Sequence, residues 1–217
     1  MHNNINNLIS VQNTLKLQNI DLKKVNIIAV SKTFPLIEIN PLIKYGQIHF
    51  GENKVQEAVE KWTDIKKILK HIQLHMIGKL QTNKVKFVIP LFDYIHSLDN
   101  LKLAEKISIE QKKTNKRLKI FIQVNIGNEE QKSGIIEDNL EAFYKKCVQD
   151  YDLNIIGIMC LPPKNEDTKN YFLKMKHFAE KIDLQELSMG MSSDYIDAAK
   201  HGATFLRIGS KIFGQRD

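Results

Sequence analysis

The run VNIIAVSK, Val25 to Lys32, decides how this chain is read. It is short and, from Ile27 to Val30, continuously apolar and rich in β-branched residues, as expected of a strand covered on both faces. Seven more runs of this kind follow: Gln47 to Gly51, Gln73 to Gly78, Asp93 to Leu98, Leu118 to Gly127, Asn154 to Met159, Leu184 to Gly190 and Ala203 to Gly209. Polar segments, most with helical spacing, separate them. Asp99 to Gln111 sets Leu101, Ala104 and Ile107 on one face, Asn139 to Val148 follows suit, and Lys169 to Ile182 presents Phe172, Met175 and Ala179. Eight strands alternating with helices predict a parallel α/β architecture.

A closed (β/α)8 TIM barrel is the preferred form, although 217 residues is compact against the roughly 250 typical of that fold. The alternative, an open doubly wound sheet, lacks support because neither GxGxxG nor GxxxxGK[ST] occurs. Ile5 to Asn19, with Leu8, Val11 and Leu15 at helical spacing, predicts an extra N-terminal helix. Pro41 removes a backbone donor inside Leu36 to Tyr45, so that crossover is expected to divide into two short helical pieces. Residues 1–217 are read as one domain, the size of a single substantial core.

The formal charge is +7, from 32 Lys and Arg against 25 Asp and Glu. That balance admits anionic partners, but the lysines are spread over helices and read as solvated faces. No basic stretch interleaved with aromatics supports specific nucleic-acid binding. No apolar run is long enough to cross a bilayer, and the N-terminus lacks the pattern of a secretory signal. Cys147 and Cys160 lack metal-ligand spacing and read as buried thiols, so a cytoplasmic protein, and a monomer, is expected.

In a β/α barrel the ligand site forms at the carboxyl ends of the strands. Lys32 ends the first strand; its amine can form an imine with an aldehyde, although taken alone it reads more plainly as a surface lysine. Arg207 to Gly214, RIGSKIFG, and Ser188 to Ser192, SMGMS, provide two small-residue loops after the last two strands. Such loops can cradle a phosphate with backbone N–H groups and the Ser210 hydroxyl, or simply turn and pack. His49 and His75 read as satisfied interior histidines, since no carboxylate or cysteine set accompanies them. Glu52 and Asn53 read as capping or solvating the following helix.

The ordered motifs AVSK ending at Lys32, HFGENKVQE from His49, HMIGKLQTNK from His75, IHSLD from Ile95, VNIGNEEQKSGI from Val124, GIMCLPP from Gly157, LSMGMSSDY from Leu187 and RIGSKIFGQRD from Arg207 resemble the YggS/PROSC family of pyridoxal phosphate homeostasis proteins. The resemblance covers most of the chain. It implies a barrel like the alanine racemase N-terminal domain, of the fold-type III cofactor enzymes, with pyridoxal 5'-phosphate (PLP) held as an imine on Lys32. It places Ser192, Gly209 and Ser210 about the phosphate, Arg207 near the ring nitrogen or phosphate, and Asn53, Met159 and Ser188 in the pocket. It also implies storage and delivery of the cofactor, with PLP-dependent apoenzymes as transient partners, in preference to catalysis. A low-activity amino-acid racemase and a nucleic-acid or membrane-surface interaction protein are the alternatives. Leu74 and Met76 stand where the family commonly has aromatic residues beside the third-strand histidine, which implies an altered pocket wall.

Overall fold

The computed structural model describes residues 2–163 and 166–215; the last two residues of the C-terminal motif, Arg216 and Asp217, lie outside the described residues. The elements are α1 (Asn3–Leu17), β1 (Asn26–Val30), α2 (Leu36–Tyr45), β2 (His49–Glu52), α3 (Val55–Ile68), β3 (Gln73–Met76), α4 (Val85–Leu91), β4 (Tyr94–Leu98), α5 (Leu101–Thr114) and β5 (Lys119–Val124). They continue with α6 (Glu137–Gln149), β6 (Ile155–Cys160), α7 (Lys169–Lys181), β7 (Glu186–Met191), α8 (Tyr195–Lys200), β8 (Phe205–Ile208) and α9 (Ser210–Phe213). Each strand pairs in parallel with the next, and β8 closes on β1 through Asn26–Phe205 to Ala29–Ile208. All eight expected strands are therefore present in one closed barrel.

Closure divides the apolar side chains into two layers, because successive strand residues face opposite sides. Inside the barrel, Ile28, Val30, Tyr94, Phe121, Met159 and Phe205 form a compact plug. Between strands and helices lies a larger layer that includes Ala29, Phe50, Trp62, Leu74, Ile95, Leu187 and Leu206. Gly157 is required where β6 meets β7, since a Cβ there would stand 2.0 Å from the Glu186 carbonyl oxygen.

The expected N-terminal helix is α1, whose Leu8, Val11 and Leu15 are buried. It ties the first and last units together: Asn4 Nδ2 donates to the Glu38 carbonyl of α2, and Asn7 Nδ2 donates to the Ile212 carbonyl of α9. The expected break at Pro41 does not occur. Residues Leu36–Tyr45 form one helix, anchored on either side of Pro41 by fully buried Ile39 and Leu42 and closed by Gly46 at φ 104°. Burial on both flanks outweighs the one lost backbone hydrogen bond.

Candidate functional site

The carboxyl ends of the strands surround a cavity of about 590 Å³, a size suited to a small organic ligand. Its walls are Lys32 and Val30 from the end of β1, Asn53 after β2, Ile77 after β3, Leu161 after β6, Met191, Ser192 and Ser193 at β7, and Arg207, Gly209, Ser210 and Gln215 at β8. The structure thus gathers six of the eight expected site residues, Lys32, Asn53, Ser192, Arg207, Gly209 and Ser210, around one space. Met159 and Ser188 do not line it. Met159 belongs to the interior plug, and Ser188, fully buried, sits beneath Arg207.

Lys32 occupies a turn that the rest of the chain clamps from behind. Lys61, one turn of α3 from Glu57, donates to the carbonyls of Ser31 (2.9 Å) and Phe34 (3.3 Å), the two residues that flank the turn. Thr33 takes the left-handed conformation (φ 70°), and its N–H donates to the Glu57 carboxylate. Glu52 completes the clamp. It is wholly buried, accepts from Ser31 Oγ at 2.7 Å and Trp62 Nε1 at 3.0 Å, and stands 2.7 Å from Lys61 Nζ. Glu52 therefore neither caps α3 nor meets solvent, as the sequence had suggested; α3 starts from Lys54. Burial pushes its carboxyl above the ordinary range, while Lys61, Trp62 and Ser31 oppose that shift.

Asn53 is fixed through its backbone. Gly78 lies so close that a Cβ there would be 2.4 Å from the Asn53 carbonyl oxygen and 2.8 Å from its Cα. Asn53 Oδ1 is buried with no partner among the described residues, leaving an acceptor at the cavity wall. Across the cavity, Ser192 Oγ accepts from the backbone N–H groups of Gly209 (3.2 Å) and Lys211 (3.3 Å), so two backbone donors converge on one point.

Arg207 is 5% exposed and forms the floor. Its Nη1 donates to Ser188 Oγ at 2.7 Å and its Nη2 to the Cys160 carbonyl at 2.8 Å. Ser188 is in turn bonded to His96, which sequence reasoning passed over, at 2.8 Å. His96 leads to His75, and His75 to His49, each at 2.9 Å. The expectation of satisfied interior histidines thus holds for His49 and His75. The signal for His96 was present in IHFG, LHMIG and YIHSL, three consecutive strands that each carry one histidine. Among the described residues no group of histidine, cysteine or acidic side chains is arranged to hold a metal ion. Because His75 points inward, Leu74 and Met76 point outward and pack, fully buried, against the helices; they do not alter the pocket wall. Cys147 and Cys160 are buried free thiols, and burial pushes both up to about 12. No helix among the described residues is long and apolar enough to cross a membrane.

Residues 9–217 match the family described as alanine racemase, N-terminal domain. A pyridoxal phosphate homeostasis protein of Haemophilus influenzae is 37% identical over 95% of this chain and 92% of its own length. The solved structure of PipY from Synechococcus elongatus with PLP bound superposes with a TM-score of 0.85 at 33% identity, covering 96% of this chain and 99% of PipY. A Clostridium difficile alanine racemase shares the fold at 14% identity and a TM-score of 0.73, and this chain spans 56% of its length. With a barrel closed in the same way and this identity along nearly its whole length, the chain belongs to the alanine racemase N-terminal domain family, among the pyridoxal phosphate homeostasis proteins.

Proposed function

We propose that this chain, acting as one domain over residues 1–217, binds PLP through Lys32 and serves PLP homeostasis by storing the cofactor and delivering it to PLP-dependent apoenzymes. The observation that carries this reading is the convergence on one cavity of the Lys32 amine, the Arg207 guanidinium and the backbone donors held at Ser192. The shared name of the relatives and the bound PLP of PipY support it.

The residues fit such a ligand. The N–H groups of Gly209 and Lys211, now converging on Ser192 Oγ, are placed for an anionic oxygen, with the Ser210 hydroxyl beside them. Asn53 Oδ1 offers an unsatisfied acceptor, and Lys32 and Arg207 supply positive charge. Bound there, the cofactor would supply an aldehyde with which Lys32 Nζ could condense reversibly, the C=O bond giving way to C=N with release of water. Arg207 is assigned to the ring nitrogen; a guanidinium only donates hydrogen bonds, so it leaves that nitrogen unprotonated and the ring a weak electron sink.

A carrier is favoured over a racemase by the relatives: the Haemophilus influenzae protein, 37% identical along nearly the whole chain, is named a homeostasis protein, whereas the alanine racemase, at 14% identity, shares the fold alone. The test is an absorbance spectrum of the purified protein with PLP, then borohydride reduction and mass mapping. An imine band and a reduced pyridoxyl group on Lys32, both lost in Lys32→Ala, are expected; no label on Lys32 would overturn the assignment. For delivery, an apoenzyme should acquire cofactor from the loaded chain faster than the chain releases it to solution, and equal rates would rule out direct transfer. Amino-acid racemisation above that of free PLP would restore the enzyme reading.

A further inference from the structure

Five side chains from five strands form one continuous hydrogen-bonded line through the barrel interior. It runs from Arg207 through Ser188, His96 and His75 to His49. Ser188, His96 and His75 are fully buried, and His49 is half-buried. Aromatic rings seal the line. Tyr94 stacks on His75 with centroids 4.1 Å apart, Phe121 stacks on His96 at 4.3 Å, and Phe205 meets His49 with the two rings nearly perpendicular. Each imidazole nitrogen inside the line thus faces the next member.

Donor counting gives the line a direction. A guanidinium has no acceptor, so Ser188 Oγ must accept from Arg207. The Ser188 hydroxyl hydrogen then has His96 Nδ1 as its acceptor, which leaves the His96 proton on Nε2. His96 Nε2–H donates to His75 Nδ1, and His75 Nε2–H donates to His49 Nδ1 by the same rule. All three imidazoles are neutral and carry their proton on Nε2. Reversal would aim two donors at Ser188 and strand its hydroxyl hydrogen in a buried site, a penalised arrangement. A charged imidazole would set two N–H groups against each other. Burial, with Arg207 as the next cause at His96 and the neighbouring histidines at His75, holds both well below the ordinary histidine range, in keeping with neutrality.

We propose that His96, His75 and His49 are positioning residues of the cofactor site. Acting through Ser188, they lock Arg207, which lines the cavity, as a fixed donor and keep an exchangeable acid away from it. The purpose of the line rests on the reading of Arg207 as the partner of a ring nitrogen; its geometry does not. With Ser188 and the Cys160 carbonyl taking two of the five guanidinium hydrogens, the group is held at two points and has three hydrogens for the ligand or water.

The test is nitrogen-15 NMR of histidine-labelled protein at neutral pH, without cofactor. His49, His75 and His96 are expected as neutral Nε2–H tautomers, with through-hydrogen-bond nitrogen–nitrogen couplings joining His49 to His75 and His75 to His96. An Nδ1–H form or a charged ring at any of the three would overturn the line. Ser188→Ala should mix the tautomers, weaken PLP retention about tenfold and give the bound cofactor a pH-dependent spectrum. Ser188→Thr, which keeps the hydroxyl, should restore all three; tautomers and spectrum unchanged in Ser188→Ala would refute the positioning role. Failure to label Lys32 would overturn the cofactor assignment and the purpose of the line with it, whereas labelled Lys32 beside mixed wild-type tautomers would overturn the line alone.

Discussion

Lys61 Nζ lies 2.7 Å from the fully buried Glu52 Oε1, and the same ammonium holds the Ser31 and Phe34 carbonyls on either side of Lys32. The ion pair therefore couples stability to the geometry of the reactive turn. Lys61→Met leaves a buried carboxylate without its cation and is expected to cost about 3–5 kcal/mol of folding stability. Urea denaturation measures that loss. Cofactor binding at Lys32 should weaken in the protein that remains folded, whereas Lys67→Met, which removes an exposed pair with Asp64, should change neither.

Ser192 collects the Gly209 and Lys211 N–H groups at the point assigned to phosphate. Ser192→Ala removes the hydroxyl that would donate to a phosphate bound there, a hydrogen bond to a charged group worth about 1.5–3 kcal/mol. The preference for PLP over pyridoxal, which lacks the phosphate, should therefore fall by about ten- to a hundredfold. Titration of both aldehydes into wild type and variant checks this, and an unchanged ratio would move the phosphate elsewhere.

Gly78→Ala places a methyl group 2.4 Å from the Asn53 carbonyl oxygen, so one backbone must shift. The expected cost is about 1–3 kcal/mol in stability, with weaker PLP retention because Asn53 moves. Gly46→Ala provides the comparison: its Cβ would meet nothing within 4 Å, and its φ of 104° brings backbone strain alone, far from the cavity. Thermal melts should fall in both variants, and retention only in the first.

The histidine line fixes the sign of a pH dependence. His49 is lowered to about 4 by burial and by Lys119, with Asp93 opposing, and burial inside the barrel holds His75 and His96 well below the ordinary histidine range. Between about 4 and the ordinary value of 6.5 the unfolded chain binds protons that the folded chain does not. Stability is therefore expected to fall as pH drops through that window, by up to about 1.4 kcal/mol per pH unit for each histidine. Glu52, raised by burial, works in the opposite sense above 4.5, so the histidines must outweigh it. Urea midpoints from pH 7 to pH 5 test the slope, and His49→Asn, which keeps an acceptor for His75, should reduce it by about one proton.

The barrel was legible because its evidence is local. Eight short apolar runs separated by helical spacing are features of adjacent residues, and the rule that a site forms where parallel strands end drew attention to Lys32 and to the two loops that carry Ser192, Arg207, Gly209 and Ser210, while the family resemblance added Asn53 and the cofactor role of Lys32. Where the reading missed, a local preference met a tertiary one. Pro41 disfavours a helix, yet Ile39 and Leu42 are buried on both sides of it; Glu52 looks like a helix-capping residue, yet Lys61 and Trp62 give a buried carboxylate its partners.

By itself the sequence determined the order of elements and the parallel architecture, which follow from periodicity, while its motifs, through the family they resemble, pointed to a closed barrel and to Lys32. Tertiary structure alone decided that Met159 and Ser188 lie beneath the cavity, that Leu74 and Met76 face the helices, and that His96 meets Ser188 across 92 positions of chain. The physical reason is register. Strand side chains alternate with a period of two, so only the pairing adopted on closure determines which residues face inward and which of them come within hydrogen-bonding reach.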